Sequence, residues 1–368
     1  MFAHLSVNKE GPAVALNAFL RGLLESRRVE AVLAPRRLPS GDAAAPALIS
    51  DPGQMEADPF APVMPVSTAS VVSSMTREAP LPGPVAVLIR GCQIRALVEL
   101  VKLKQASLDN VILIGVDCAG TFNLKDYARL GGEPSIALEL FEDSPAHKEN
   151  LRAACATCVE FAPANCDLVV GLWGMNARKE ILLEAVTEKG RALLEGMADA
   201  PPDAAAQRKD AVAALREKRV AADQAFREET AAIRRLDALT AFFGRCIGCQ
   251  NCRRVCPVCY CRECFFCSDA LDRAPEDILG RSRTKGAFRL PADTILFHAG
   301  RFNHMILSCV ECGLCEQACP AEIPLMQMIK RVAHDAREQF GYLAGRRLDE
   351  EIPFTVFHED EFHEVGES

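Results

Sequence analysis

The chain has 368 residues, 49% hydrophobic and 25% charged, a composition that gives room for two or more cores and excludes disordered and collagen-like classes. Its net charge of -8 at pH 7 argues against a general nucleic-acid binder. Seventeen cysteines stand out against this background, and they are unevenly placed: none precedes Cys92 and twelve lie at or after Cys246.

The opening MFAHLSVNKEGPAVALNAFL lacks a basic first region and a small-residue cleavage site, and no stretch reaches the ~18 apolar residues of a membrane span. A reducing cytoplasm is the expected compartment, and there clustered cysteines read as metal ligands rather than disulfides. A helix is predicted over Lys9 to Glu25 and a short strand over Val29 to Pro35. The next fifty residues, to about Pro84, are rich in Pro, Ala, Ser and Gly and give weak signals.

A clearer unit follows. PVAVLIRGC (Pro84 to Cys92) reads as a buried strand, QIRALVELVKLKQAS (Gln93 to Ser107) as a helix, and VILIGVDC (Val111 to Cys118) as a second buried strand, together a parallel βαβ unit. Ligands of open α/β sheets bind at the carboxyl ends of strands, which is where Cys92 and Cys118 fall. ACATC (Ala154 to Cys158) adds a C-x2-C pair, and DLVVG (Asp167 to Gly171) a further strand. Cys166 precedes that strand, at the opposite edge, and reads as a small buried residue.

After Trp173 the composition turns to Ala, Glu, Arg and Leu. Two helices are expected, Ala177 to Ala198 and Asp203 to Phe243, forming an antiparallel helical arm. In the second, Val212, Leu215, Ala222, Phe226, Ile233, Leu236 and Phe243 hold one seven-residue phase. The arm reads equally as a connector or as a partner-binding element.

The strongest signal is a repeated run. Cys246, Cys249, Cys252 and Cys256 before Pro257 give C-x2-C-x2-C-x3-C-P, and Cys309, Cys312, Cys315 and Cys319 before Pro320 repeat it. This is the bacterial ferredoxin pattern, in which three thiolates bind one 4Fe-4S cube and the fourth crosses to the other. The expected ligand sets are Cys246, Cys249, Cys252 and Cys319 for one cluster, and Cys309, Cys312, Cys315 and Cys256 for the second. The 52 residues from 257 to 308 separate the runs, which points to an α-helical dicluster ferredoxin module. VCYCRECFFC adds Cys259, Cys261, Cys264 and Cys267. These four could hold a fourth centre, or pack beside the first cubane and act as alternative ligands. From Asp349 to Ser368 there are eight acidic residues and no Lys or Arg, a solvated end or a docking strip for a basic surface.

RGCQIRALVELVKLKQ (Arg90 to Gln105), VILIGVDCAGT (Val111 to Thr121) and CATCVEFAPANCDLVVGLWG (Cys155 to Gly174) resemble the beta-subunit family of coenzyme F-420 hydrogenases and formate dehydrogenases. The resemblance covers about residues 9 to 175 and implies an iron-sulfur flavoprotein whose α/β domain carries a 4Fe-4S cluster and FAD. Carried over by position, the cluster ligands are Cys92, Cys118, Cys155 and Cys158, and the flavin site draws on Gly11, Arg90, Gly91 and Gln93. The family's glycine-rich start is reduced here to Lys9-Glu10-Gly11-Pro12, and its ferredoxin module often comes first instead of last.

The expected organisation is an α/β domain over 1–175, a helical arm over 176–243, a dicluster ferredoxin domain over 244–345 and an acidic tail over 346–368. No Ser-His-Asp set, P-loop or G-x-G-x-x-G fingerprint offers substrate chemistry, and the seven histidines are scattered. The leading expectation is an electron-transfer subunit joining a catalytic formate dehydrogenase or hydrogenase subunit to another acceptor or to heterodisulfide-reductase-like subunits. The second is an FAD oxidoreductase exchanging electrons with a soluble coenzyme. A redox- or metal-sensing regulator ranks third, since no DNA-reading element is recognisable.

Overall fold

The computed structural model describes residues 1–133, 136–141, 145–231, 233, 236–269, 274–286 and 294–356. Among them seven strands build one sheet: β1 (Phe2–Ser6), β2 (Ala31–Arg37), β3 (Ala44–Ile49), β4 (Val85–Arg90), β5 (Val111–Val116), β6 (Leu168–Gly171) and β7 (Glu180–Ala185). Their order is β1-β7-β6-β5-β4-β2-β3. The inner strands β2, β4, β5 and β6 run parallel, while β3 and the β7-β1 pair close the two edges antiparallel.

Both faces of the parallel strands are covered, which explains their unbroken apolar sequence. Alternate residues feed different cores. Leu33, Val85, Val87, Ile89, Val111, Leu113 and Val169 enter one, and Val32, Ala86, Leu88, Ile112, Ile114, Leu168 and Val170 enter the other. The second core is capped by α1 (Pro12–Glu25), entered through Gly11 at φ 98° with Pro12 at its first position. The first is capped by α2 (Thr68–Thr76) and α3 (Gly91–Lys102), and it continues without a break into Met326, Ile329 and Tyr342 of the cysteine-rich half.

The βαβ unit over 84–118 is present as β4, α3 and β5, paired in parallel from Val85↔Val111 to Arg90↔Val116. Its boundaries are tighter than expected, so Cys92 lies in the first turn of α3 and Cys118 two residues past β5. The short helices α4 (Leu124–Arg129), α5 (Ile136–Glu139) and α6 (Ala153–Ala156) occupy the long β5–β6 connection.

The helix expected over Ala177 to Ala198 is a correction. Glu180–Ala185 is strand β7, and only α7 (Glu188–Leu193) is helical. The Leu- and Glu-rich composition favours a helix locally, but β7 fills the gap between β6 and β1 and buries Ile181, Leu182 and Leu183. The forty-residue helix is also shorter than expected: α8 (Ala204–Glu229) ends at Thr230, whose hydroxyl donates to the Phe226 carbonyl at 2.9 Å, and α9 (Leu236–Phe242) follows. The seven-residue phase does not make an apolar seam, because Ala222 is exposed while the buried position is Asp223. Nor does α8 project as an arm: its polar face lies on α6 and on the last long helix through Arg208, Arg216, Arg219 and Asp223.

The remaining α-helices are α10 (Asn251–Arg254), α11 (Pro275–Lys285), α12 (Thr294–Met305), α13 (Leu314–Gln317) and α14 (Leu325–Phe340), among the described residues. Among the described residues no helix is long and apolar enough to cross a membrane. At the acidic end, Asp349 and Glu350 are paired with Arg347 and Arg346. Glu359, Asp360, Glu361, Glu364 and Glu367 lie outside the described residues.

Candidate metal centre

The carboxyl ends of β4 and β5 bring four thiols to one place. Cys92, from the first turn of α3, Cys118, from the loop after β5, and Cys155 and Cys158, from α6 and the turn beyond it, line a common cavity of about 60 Å³. The strand-end reading and the ligand set carried over from the resemblance therefore converge on one site. Burial, reinforced by the neighbouring thiols, holds Cys92 well above the ordinary thiol range and pushes Cys158 up to about 11. Cys155 goes the other way: burial raises it, but the Arg152 charge and a hydrogen bond with Thr121 outweigh that and lower it. A coordinating metal takes thiols as thiolates and displaces their protons, and the Arg152 charge beside Cys155 favours that form. Cys166 is 4% exposed behind Gly115, and burial pushes it up to about 12, as expected of an inert packing thiol.

Arg90, Gly91 and Gln93 line the same cavity. Gln93 Oε1 accepts from the Arg90 amide at 3.3 Å, closing the start of α3, and Arg90 Nη2 donates to the Ala61 carbonyl at 2.6 Å. Gly11 is not among the residues that line this cavity.

The cysteines of the two runs fall into two neighbouring groups. Cys246, Cys249, Cys252 and the distant Cys319 line one pocket together with Phe297 and His298. In the second set, Cys256 is a charge neighbour of Cys309, Cys312 and Cys315. Left-handed turns at Gln250 and Gly313 start α10 and α13, so each run wraps its first three thiols around a one-turn helix. Cys312 also lines the α/β cavity beside Cys92, so the second set stands between the first and the third. Among the described residues no group of three or more His, Cys, Asp or Glu side chains is close enough to hold a single metal ion.

The additional cysteines part company. Cys259 stands against Cys256 and lowers it by hydrogen bonding. Cys267 donates to Gln250 Oε1 at 2.9 Å and accepts from Arg253 at 3.1 Å, and Cys261 is exposed. The arrangement supports packing beside the ferredoxin-type ligands for Cys259.

Sequence reasoning missed the buried charges that surround the thiols. Arg152 donates Nε to Thr121 Oγ1 at 2.8 Å, Nη1 to Gln317 at 3.0 Å and Nη2 to Cys155 Sγ at 3.5 Å. Arg219, on α8, donates to the Cys155 carbonyl. His298 stacks on Phe243 at 4.0 Å, with Nε2 3.4 Å from Cys246 Sγ, and Arg301 is 2% exposed one turn further along α12. Only their nearness to cysteine runs in the sequence marked them, and for His298 and Arg301 not even that.

Two curated proteins are similar to the chain over most of its length. The F420-dependent formate dehydrogenase subunit beta of Methanocaldococcus jannaschii is 26% identical, over 92% of this chain and 93% of that protein. The F420-dependent formate dehydrogenase 1 subunit beta of Methanococcus maripaludis is 28% identical, over 92% of each. The similarity to the formate dehydrogenase beta subunits takes in the cysteine-rich half as well as the α/β half, beyond the segment over 9–175 on which the resemblance first rested. Among solved structures, a chain of the F420-reducing [NiFe] hydrogenase complex of Methanosarcina barkeri aligns with a TM-score of 0.46 at 16% identity, covering 62% of this chain and 91% of that one. No protein-family model matches the chain.

Proposed function

We propose that this chain is the iron-sulfur electron-transfer subunit of a multi-subunit redox complex, relaying single electrons between a catalytic formate dehydrogenase or hydrogenase subunit and a second acceptor. The observation that carries the reading is the serial placement of three thiol sets: Cys246, Cys249, Cys252 and Cys319, then Cys256, Cys309, Cys312 and Cys315, then Cys92, Cys118, Cys155 and Cys158. A 4Fe-4S cluster in each would supply one-electron exchange at a potential set by charge, hydrogen bonding and burial. The protein's own part is to keep the inner sets dry and to hold each thiol in place. The first set reaches the surface at the exposed Cys249 and Ile247, a point from which electrons can leave to a partner.

The relatives' names support the choice of partner, since both are beta subunits of formate dehydrogenases. In this reading residues 1–175 carry one cluster and 244–345 the other two as a dicluster ferredoxin domain, with 176–243 clasping the two together. A heterodisulfide-reductase-like acceptor remains part of the proposal on the second side. Iron and acid-labile sulfide analysis of anaerobically purified protein tests it: about twelve irons per chain is expected. About eight would remove the cluster from the α/β part, and an iron-free protein would overturn the function.

A further inference from the structure

Each junction between successive thiol sets contains one buried arginine. At the first, Arg301 is 2% exposed and is a charge neighbour of Cys252 on one side and of Cys256 and Cys315 on the other. Its three guanidinium nitrogens are buried, and hydrogen bonding from Arg301 favours the thiolate at Cys256 and at Cys315, which places the guanidinium against the sulfurs of the second set. At the second junction, Arg152 is 8% exposed, reaches Cys155 Sγ at 3.5 Å, and is a charge neighbour of Cys92 and Cys312.

Burying a guanidinium costs its solvation, and it does not escape that cost by losing its proton. Such a group persists where a stronger anion compensates it. Four thiolates around a 4Fe-4S core carry net negative charge, and cluster sulfurs accept hydrogen bonds. We infer that Arg301 and Arg152 are positioning residues, each raising the reduction potential of the clusters on both sides of its junction and offsetting the repulsion between them. This rests on the cluster reading above. Reduction adds one electron, and so one negative charge, to a cluster. A fixed cation nearby stabilises the reduced form more than the oxidised form, and its removal lowers the potential.

The test is a dithionite titration of the full chain, followed by electron paramagnetic resonance with iron counted in the same samples, for wild type, Arg301→Gln, Arg301→Lys, Arg152→Gln and Arg152→Lys. Signals that disappear in a Cys118→Ala variant belong to the α/β site. Arg301→Gln is expected to shift the one-electron equilibrium of the ferredoxin-type signals at least tenfold toward the oxidised form, about 59 mV, and to leave the α/β signal in place. Arg152→Gln is expected to shift the α/β signal, and the lysine variants to stay near wild type. Loss of iron in a glutamine variant with retention in its lysine counterpart also supports a role for the charge. Unchanged potentials in the glutamine variants, or equal iron loss in glutamine and lysine variants, overturn the inference while the cluster reading stands. A wild-type chain without iron removes that reading itself.

Discussion

Lys330 Nζ donates to the Thr157 main-chain carbonyl at 3.0 Å, which fastens α14 to the turn between Cys155 and Cys158. The same ammonium pairs with Asp223 of α8 at 2.9 Å and with Glu311 at 2.8 Å, and its side chain is 5% exposed. One lysine thus joins the helix after the second cysteine run, the helix across the sheet edge and the α/β thiol turn.

Lys330→Met should therefore leave two buried carboxylates with less compensation. The expected cost is about 3 kcal/mol, the low end for breaking a buried pair, because Arg227 still faces Asp223 and Arg337 still faces Glu311. The urea midpoint of the purified chain would show it. No change in midpoint would mean that this network holds nothing together.

Gly313 carries a second junction. At φ +72° it begins α13, and a Cβ there would stand 2.4 Å from the Ala154 Cβ. Gly313→Ala should destabilise the protein by about 2 kcal/mol through overpacking and left-handed strain. The double variant with Ala154→Gly should recover part of that loss, since the two positions touch. Unfolding curves that show no recovery would put the whole effect in the backbone strain.

Glu99 is fully buried and accepts from Tyr342 Oη at 2.6 Å and from the Gly345 amide at 2.8 Å, while Lys102 pairs with it at 2.8 Å. It ties the segment after α14 to α3, which carries Cys92. Glu99→Gln should cost about 2 kcal/mol, in the range for hydrogen bonds to charged groups, and should expose the region of 341–356 to limited proteolysis before the rest of the chain. Cleavage beginning elsewhere would contradict this anchor.

The thiols themselves separate by role. Cys118→Ala should lower the iron count by about four per chain and spare the ferredoxin-type signals. Cys166→Ala removes a buried thiol that faces Gly115 and lies outside the α/β thiol cavity, and should leave the count unchanged. An equal loss in both variants would merge the two sites.

Much of the architecture was legible in the chain because the relevant signals are local. The runs VAVLI and VILIGV are apolar throughout because both their faces are covered, and they pair in parallel. The two C-x2-C-x2-C-x3-C-P runs each put one thiol on a one-turn helix and two just before it, and Cys246, Cys249, Cys252 and Cys319 line one pocket. β7 escaped because EILLEA is as good a helix as a strand until β6 and β1 flank it. The polar inner face of α8 escaped because Arg208 pairs with Asp117, ninety-one residues away.

The sequence by itself determined the spacing of the cysteines within each run, since that spacing is a property of a few consecutive turns. Only the tertiary structure decided that Cys312 faces Cys92, that Arg152 and Arg301 stand at the two junctions, and that α8 covers the site in place of projecting from it. Those relations join residues far apart in the chain. They arise because buried charges must find partners wherever the fold places them, and no local pattern encodes that choice.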